Sequence, residues 1–486
     1  MDFTTQHLLA LLPLLITSLT IVAVMLGIAW KRNHAMTFGL SVIGLNLALL
    51  SVFAATSVAP LQVTPLLMVD KFACFYMVLV LASTLACVTL IHAYLGGESG
   101  KGYPGNREEL YLLILLSAAG GLVLVSAQHL AGLFIGLELL SVPSYGMIAY
   151  AFFNKRSLEA GIKYMVLSAA GSAFLLFGMA LLYAESGSMS FAGIGQAVAG
   201  GAPSLLVEVG FGMMLVGLAF KLSLVPFHLW TADVYEGAPA PVAAFLATAS
   251  KVAVFAVLLR LYEVSPAASG GWLTELLTVL AIASILFGNL LALLQNNIKR
   301  LLGYSSIAHF GYLLIALIAS NGLAIEAVAV YLAMYVLTTL GAFGVITLMS
   351  TPYKGRDADA LYEYRGLFWR RPYLTAVLTV MMLSLAGIPL TAGFIGKFYI
   401  IGVGVESQQW WLLGALVLGS AIGVFYYLRV MVTLFLVEPN LHRHDAPFDW
   451  GQRAGGVMLM VVAFLAFFLG VYPQPLLVLL AKFSIG

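Results

Sequence analysis

Residues 205–230 read LLVEVGFGMMLVGLAFKLSLVPFHLW. The first eighteen or so are apolar enough to cross about 30 Å of hydrocarbon as a helix. Yet the stretch carries Lys221 and then Pro226. Proline removes a backbone donor and ends or kinks a helix. A lysine at the centre of a membrane helix costs about 2.5–3.5 kcal/mol on insertion scales. The two together predict an interrupted membrane helix with a charge beside the break, where freed backbone groups hold water or polar side chains. A chain that keeps such a group uses charge inside the membrane, and a pathway for ions or protons is the first reading.

Working outward, the same anomaly recurs. Lys163, Lys251 and Lys397 each lie inside a long apolar stretch, and so does one carboxylate, Glu138. The chain of 486 residues is 62% hydrophobic and 9% charged, with a mean hydropathy of +1.02. That excludes an ordinary soluble globular protein. The runs lack the alternation of barrel strands, so helices are expected. A net charge of +2 with no basic block argues against a nucleic-acid partner. The only cysteines, Cys74 and Cys87, fall in one predicted helix, which argues against a thiolate cluster. The first apolar run lacks a basic leader and reads as a retained helix, not a cleaved signal.

Fourteen membrane segments are predicted, numbered in chain order: 7–30, 36–57, 71–95, 109–127, 129–152, 159–184, 205–226, 240–263, 271–294, 301–320, 323–350, 372–404, 409–437 and 453–481. The twelfth is too long for a simple span. The odd-numbered loops and their edges hold Lys31, Arg32, Lys101, Arg107, Lys155, Arg156, Lys299, Arg300, Lys354, Arg356, Arg365, Arg370, Arg371, Arg443 and Arg453, which is 15 of the 23 Lys and Arg. The positive-inside rule makes that side cytoplasmic and puts both termini on the other. No soluble domain is visible, so residues 1–486 are one membrane unit. An internal symmetry also shows: segment 7 holds Lys221 before Pro226, and segment 12 holds Lys397 after the sequence Leu385 to Pro389. Interrupted helices at matching places in two halves point to a transport site.

The charged groups carry different readings. Glu138 is near the middle of segment 5, where neither a cap nor snorkelling explains it. It is either a protonated carboxyl bonded to a neighbouring helix or a carboxylate paired to a membrane lysine. For Lys221, desolvation favours the neutral amine and a nearby carboxylate favours the ammonium, so moving the partner would eject a proton. Lys251 follows Thr248 and Ser250, as in a hydrated channel wall or in polar helix packing. Lys397 is the candidate for release, at the far end of the series. Lys163 lies about two turns into segment 6, close enough to the surface to snorkel. His228 and His309 are either relays, since imidazole titrates near pH 6.5, or hydrogen-bonded packing residues. No spacing resembles a metal site.

The run from Lys221 through His228, Trp230, Asp233, Tyr235 and Gly237 to Ala238-Pro239-Ala240-Pro241-Val242 resembles the signature of the proton-translocating antiporter-like subunits. These occur in respiratory complex I, in Mrp-type sodium/proton antiporters and in related membrane hydrogenases. Leu301–His309 and Tyr364–Trp369, with a lysine on segment 12, are similar to the subunit N branch in bacterial NADH:quinone oxidoreductase. The resemblance covers essentially the whole chain. It implies an all-α polytopic fold with two inverted five-helix repeats, segments 4–8 (109–263) and 9–13 (271–437), and with segments 7 and 12 broken. A three-helix segment (1–100) precedes them and one helix (453–481) follows. It implies Glu138 with Lys221 as a coupling pair, Lys251 as the central and Lys397 as the terminal lysine, and Lys163 as a motif lysine. The partners would be other antiporter-like and small membrane subunits in a bacterial inner membrane. NADH, FMN, iron–sulfur clusters and quinone would belong to partner subunits, with no cofactor in this chain. A sodium/proton antiporter subunit and a structural spacer of the membrane arm are the alternatives.

Overall fold

A computed structural model describes residues 4–96, 103, 105–198, 204–264, 271–319, 322–350, 357–437 and 450–483. Among the described residues, twelve helices are long and apolar enough to cross a membrane. Segments 1–3 are Thr5–Trp30, His34–Val58 and Lys71–Leu95. Segments 4–6 are Glu109–Val125, Leu130–Ile148 and Lys155–Ser186. Segments 9–11 are Trp272–Leu293, Ile298–Ala319 and Gly322–Met349, and segment 13 is Trp410–Phe435. Segment 4 and the first half of segment 12 are shorter apolar helices.

Segments 7 and 12 are broken, as the prolines require. Segment 7 is Leu205–Leu222, then a turn over Val225 and Pro226, then Leu229–Gly237. Its first helix ends at Ser223, which adopts a left-handed conformation (φ 63°), and its N–H donates to the Ala219 and Phe220 carbonyls. Segment 12 is Pro372–Ala386 and Ala392–Glu406. Its break has the same chemistry with a better residue: Gly387 takes the left-handed position (φ 80°) and donates to the Leu383 and Ser384 carbonyls. Such caps satisfy carbonyls that a helix end leaves open, which lipid could not do. Segment 8 is continuous but wound unevenly: Ala240–Phe245 is followed by a π-helical turn, Leu246–Ser250, and then Lys251–Val264. Lys251 is thus the first residue beyond a π turn, a distortion that is common at functional sites.

One expectation is corrected. The fourteenth segment was expected to run to residue 481, but the helix is Trp450–Val471 and a separate helix, Gln474–Phe483, follows Pro473. The Leu-rich run after Pro473 continues the hydropathy without continuing the helix.

The helix pairing recurs between the two halves. Segment 4 packs along segment 5 as segment 9 packs along segment 10, and segment 6 along segment 7 as segment 11 along segment 12. Glycines allow the closest approaches. A Cβ on Gly136 would lie 2.9 Å from the Leu124 nitrogen, and on Gly288 2.7 Å from the Ala308 nitrogen. Small residues that let backbones meet are how membrane helices associate without a hydrophobic drive between them. Segments 8, 10 and 11 form the interior, with 94% or more of their apolar windows buried, and segment 3 packs against segments 4, 8, 11 and 14. On the side away from the basic loops, a two-stranded hairpin (Leu61–Gln62 with Met68–Val69) bridges to Ala127 through Leu67.

Substituting Gly288→Leu forces segments 9 and 10 apart. Overpacking of this kind costs about 1–3 kcal/mol. The expected outcome is a lower thermal midpoint of the assembled complex and less of this chain in the membrane. An unchanged midpoint would contradict the close approach.

Candidate functional site

The interior of this bundle holds a file of titratable groups, and each is fixed by partners that the helices supply. At one end, the Lys221 Nζ donates to Ser141 Oγ and Ser168 Oγ, both at 2.6 Å. It also sits 5.3 Å from the Tyr164 ring centroid and 5.8 Å from that of Phe220. Glu138 accepts a 2.5 Å bond from Ser172 Oγ. Helix periodicity sets these contacts side by side. Glu138 and Ser141 are three apart on segment 5, and Ser168 and Ser172 are four apart on segment 6, so each pair shares a face. Glu138 and Lys221 are thus bonded to different serines of two neighbouring helices. The direct pair that the family resemblance implied is absent among the described residues.

Glu138 is half-buried and lies on the outer side of segment 5, between Ile135 (51% exposed) and Val142 (56% exposed). Segment 6 beside it presents Met165, Phe174 and Phe177 outward. A carboxylate on an apolar membrane face is costly unless something covers it.

Lys251 is 1% exposed and donates to Ser306 Oγ at 2.8 Å. Ser306 also accepts from the Tyr335 hydroxyl at 2.8 Å. The Phe310 and Tyr235 rings lie 5.0 and 5.9 Å from the Lys251 ammonium. His309, one turn from Ser306 on segment 10, has both ring nitrogens engaged, with Tyr331 (2.6 Å) and Tyr427 (3.1 Å). Tyr427 in turn bonds Ser305. Lys397 donates to the Ala386 carbonyl at 2.9 Å and lies 5.4 Å from the Tyr312 ring centroid. Tyr312 and His309 meet edge to face with centroids 5.7 Å apart. Lys251, His309 and Lys397 thus share one network of hydroxyls and rings. The two broken helices differ in detail: Lys221 precedes its break by two residues, whereas Lys397 lies beyond its break and reaches back to it.

His228 and Lys163 stand apart. His228 caps the second helix of segment 7, and its Nδ1 is buried without a hydrogen-bond partner. It bonds none of the lysines among the described residues. Lys163 reaches the edge of the bundle, pairing with Glu159 (2.6 Å) and Asp233 (2.9 Å). Asp233 also binds Arg300 (2.6 Å), and Glu236 binds Arg300 (2.9 Å) and Arg156 (3.0 Å). Of the two readings of Lys163, snorkelling to a charged surface matches this position.

Sequence reasoning missed a second buried set. Lys299 is 1% exposed; it pairs with Asp357 at 2.7 Å and donates to the carbonyls of Glu236 and Ala238. Tyr94 donates to the other Asp357 oxygen at 2.7 Å. This cluster ties segment 3, the end of segment 7, the start of segment 10 and the loop after segment 11. Both charges sit near expected loops, so nothing in the sequence distinguished them from solvated residues. Arg260 and Asp70 form a bidentate pair at 2.8 Å on the opposite side. Arg429, on segment 13, caps segment 9 through the Leu293 and Gln295 carbonyls.

A helical membrane bundle with two broken helices and a file of internal lysines has the architecture of an ion-translocating membrane subunit. Residues 127–423 match the family described as NADH:quinone oxidoreductase/Mrp antiporter, TM. The chain is 83% identical to NADH-quinone oxidoreductase subunit N of Ectopseudomonas mendocina (strain ymp), over 98% of this chain and 96% of that one. It is 64% identical to the subunit N of Chromohalobacter salexigens, over 97% and 98%. A chain of respiratory complex I from Thermus thermophilus, solved with bound aureothin, superposes with a TM-score of 0.81 at 34% identity, covering 96% of this chain and 98% of that one. The chain belongs to the NADH:quinone oxidoreductase/Mrp antiporter family, on the branch of the NADH-quinone oxidoreductase N subunits.

Lys299→Met is expected to strand Asp357 and destabilise the chain by about 3–5 kcal/mol, the cost of breaking a buried pair from one side. Adding Asp357→Asn should recover part of the loss. Thermal unfolding of the assembled complex checks both, and a neutral Lys299→Met would contradict the pair.

Proposed function

We propose that this chain is a proton-translocating membrane subunit of an NADH:quinone oxidoreductase, with Glu138, Lys221, Lys251, His309 and Lys397 as its proton-handling groups. The observation that carries the proposal is the file itself. Lysines in a membrane interior, held by serine hydroxyls and a backbone carbonyl, are groups that gain and lose protons as their partners move. The relatives named as subunit N support placing that chemistry in this enzyme and not in a free-standing antiporter.

In this reading, protons come from the basic-loop side near segments 7 and 8 and charge Lys221. They pass to Lys251, and then by Ser306, Tyr335 and His309, with water, to Lys397, and leave on the other face. The charge bias supports the basic side as cytoplasmic and both termini as periplasmic, in a bacterial inner membrane. Segments 4–8 and 9–13 act as two inverted repeats, a reading supported by the recurring helix pairs and breaks. Glu138 couples the file to its surroundings. Displacing its charge weakens the electrostatic hold on the Lys221 ammonium. One unit of proton affinity is about 1.36 kcal/mol, and one charge moved through 100 mV is about 2.3 kcal/mol, so a change of a few units suffices for a pumping step. The half-buried Glu138 face suits docking of another membrane subunit. NADH, FMN, iron–sulfur clusters and the quinone site belong to partner subunits. Lys163 and His228 support the structure around the uptake side.

The test is proton pumping by the intact complex in proteoliposomes. Lys221→Ala, Lys251→Met and Lys397→Met should each lower the protons moved per NADH oxidised, whereas Lys163→Gln should retain most of the wild-type ratio. Wild-type pumping by Lys221→Ala would sink the proposal.

A further inference from the structure

Between the basic side and Lys221 stands a feature that the file does not use. An open cleft of about 200 Å3 is lined by Arg156, Glu159, Ala160, Lys163, Asp233, Glu236 and Gly237, between the start of segment 6 and the second helix of segment 7. It is polar and roomy enough for water. Its floor is predictable from helix periodicity. Tyr164 lies one turn below Ala160 and next to Lys163, and Trp230 lies three residues before Asp233, so both follow the lining inward.

There the path is closed by rings. The centroids of Tyr164 and Trp230 are 4.8 Å apart, those of Phe220 and Trp230 5.3 Å, and those of Tyr164 and Phe220 6.1 Å. All three side chains are buried, at 1–6% exposure. The Lys221 ammonium lies 5.3 Å from the Tyr164 centroid and 5.8 Å from that of Phe220. The rings thus contact the first internal lysine, and Tyr164 and Trp230 sit on the two helices that line the cleft. Apolar constrictions of this kind gate by excluding water.

Trp230 also carries a latch. Its indole N–H donates to the Phe220 carbonyl at 3.0 Å. That carbonyl belongs to the last turn of the first helix of segment 7, where it also accepts the Ser223 N–H. The bond spans the break, joining the second helix of segment 7 to the end of the first. Any movement of one half relative to the other pulls on the ring that seals the floor of the cleft.

We propose that Tyr164, Phe220 and Trp230 form the gate between the basic-side cleft and Lys221, held shut by the bond from the Trp230 indole to the Phe220 carbonyl. Opening lets water join the cleft to the Lys221 ammonium, and closing isolates Lys221 while it exchanges with the rest of the file. The gate rests on the proposed role of Lys221 as a proton site.

The experiment uses the whole complex in proteoliposomes without NADH, with an imposed pH gradient followed by an internal pH dye. Trp230→Ala should make the gradient decay about tenfold faster, the change produced by lowering a barrier by one decade. Trp230→Phe keeps a ring but loses the indole donor, so it should leak at a rate between wild type and Trp230→Ala. Adding Lys221→Met to Trp230→Ala should remove the extra leak, because the open path then ends at a group that takes no proton. Trp230→Ala vesicles as tight as wild type would overturn the gate, and so would a leak that persists with Lys221→Met. If Trp230→Ala fails to assemble, Tyr164→Leu opens the same floor from the other helix and is read in the same way. The single Lys221→Met variant separates the two proposals: normal pumping by it defeats the role of Lys221, whereas abolished pumping with a tight Trp230→Ala defeats only the gate.

Discussion

Hydrocarbon offers an ammonium nothing to bond to, so every lysine inside this bundle must be held by groups from its own chain. The solutions differ, and the differences set what each lysine can do. Lys221 is held by two serine hydroxyls, Lys251 by one, and Lys397 by a backbone carbonyl. Hydroxyls can turn and can both donate and accept. Lys221 and Lys251 are held by neutral, reorientable dipoles, and none of the three by a carboxylate that would fix the proton. The contrast with Lys299 is direct. There a carboxylate and two carbonyls fix the ammonium, and the result is a structural tie between four parts of the bundle.

The helix breaks are the second part of the same solution. A continuous helix consumes its own carbonyls. An interrupted one releases several at membrane depth, and each must find a donor. In segment 12 the freed Ala386 carbonyl takes the Lys397 ammonium. In segment 7 the Phe220 carbonyl takes the Trp230 indole, while Lys221 turns to segments 5 and 6. The two halves use one backbone device for two purposes, holding a charge in one and fastening a ring in the other. That is why the buried lysines occupy different positions relative to their breaks although the breaks themselves are alike.

What could be read in advance follows from how unusual each residue is in its setting. Lys221, Lys251 and Lys397 stand out because a lysine in an apolar run has few explanations, and both broken helices were legible from a proline at membrane depth. Ser141, Ser168, Ser306, Tyr331 and Tyr427 did not stand out, since single hydroxyl residues are ordinary in membrane helices. Their importance lies in which helix faces meet. The pairing of Lys299 with Asp357 spans 58 residues of sequence and was invisible for the same reason. The serines around Glu138 and Lys221 show the limit most plainly. The family resemblance implied that the two groups pair, but only the meeting of segments 5, 6 and 7 shows that Glu138 bonds Ser172 while Lys221 bonds Ser141 and Ser168.

The separation of Glu138 from Lys221 changes how the carboxylate can act. A direct ion pair in a low-dielectric interior is strong and expensive to part, and it would tie the Lys221 proton to Glu138 through most of a cycle. Glu138 is instead bonded to Ser172, and Lys221 to Ser168 and Ser141, hydroxyls that reorient without leaving their helices. Small shifts of segment 5 against segment 6 then alter how much of the Glu138 charge Lys221 feels, with no ion pair to break first. Because Glu138 lies half-exposed on the outer face while Lys221 is sealed inside, such shifts carry a change at the surface of the subunit into the start of the internal file.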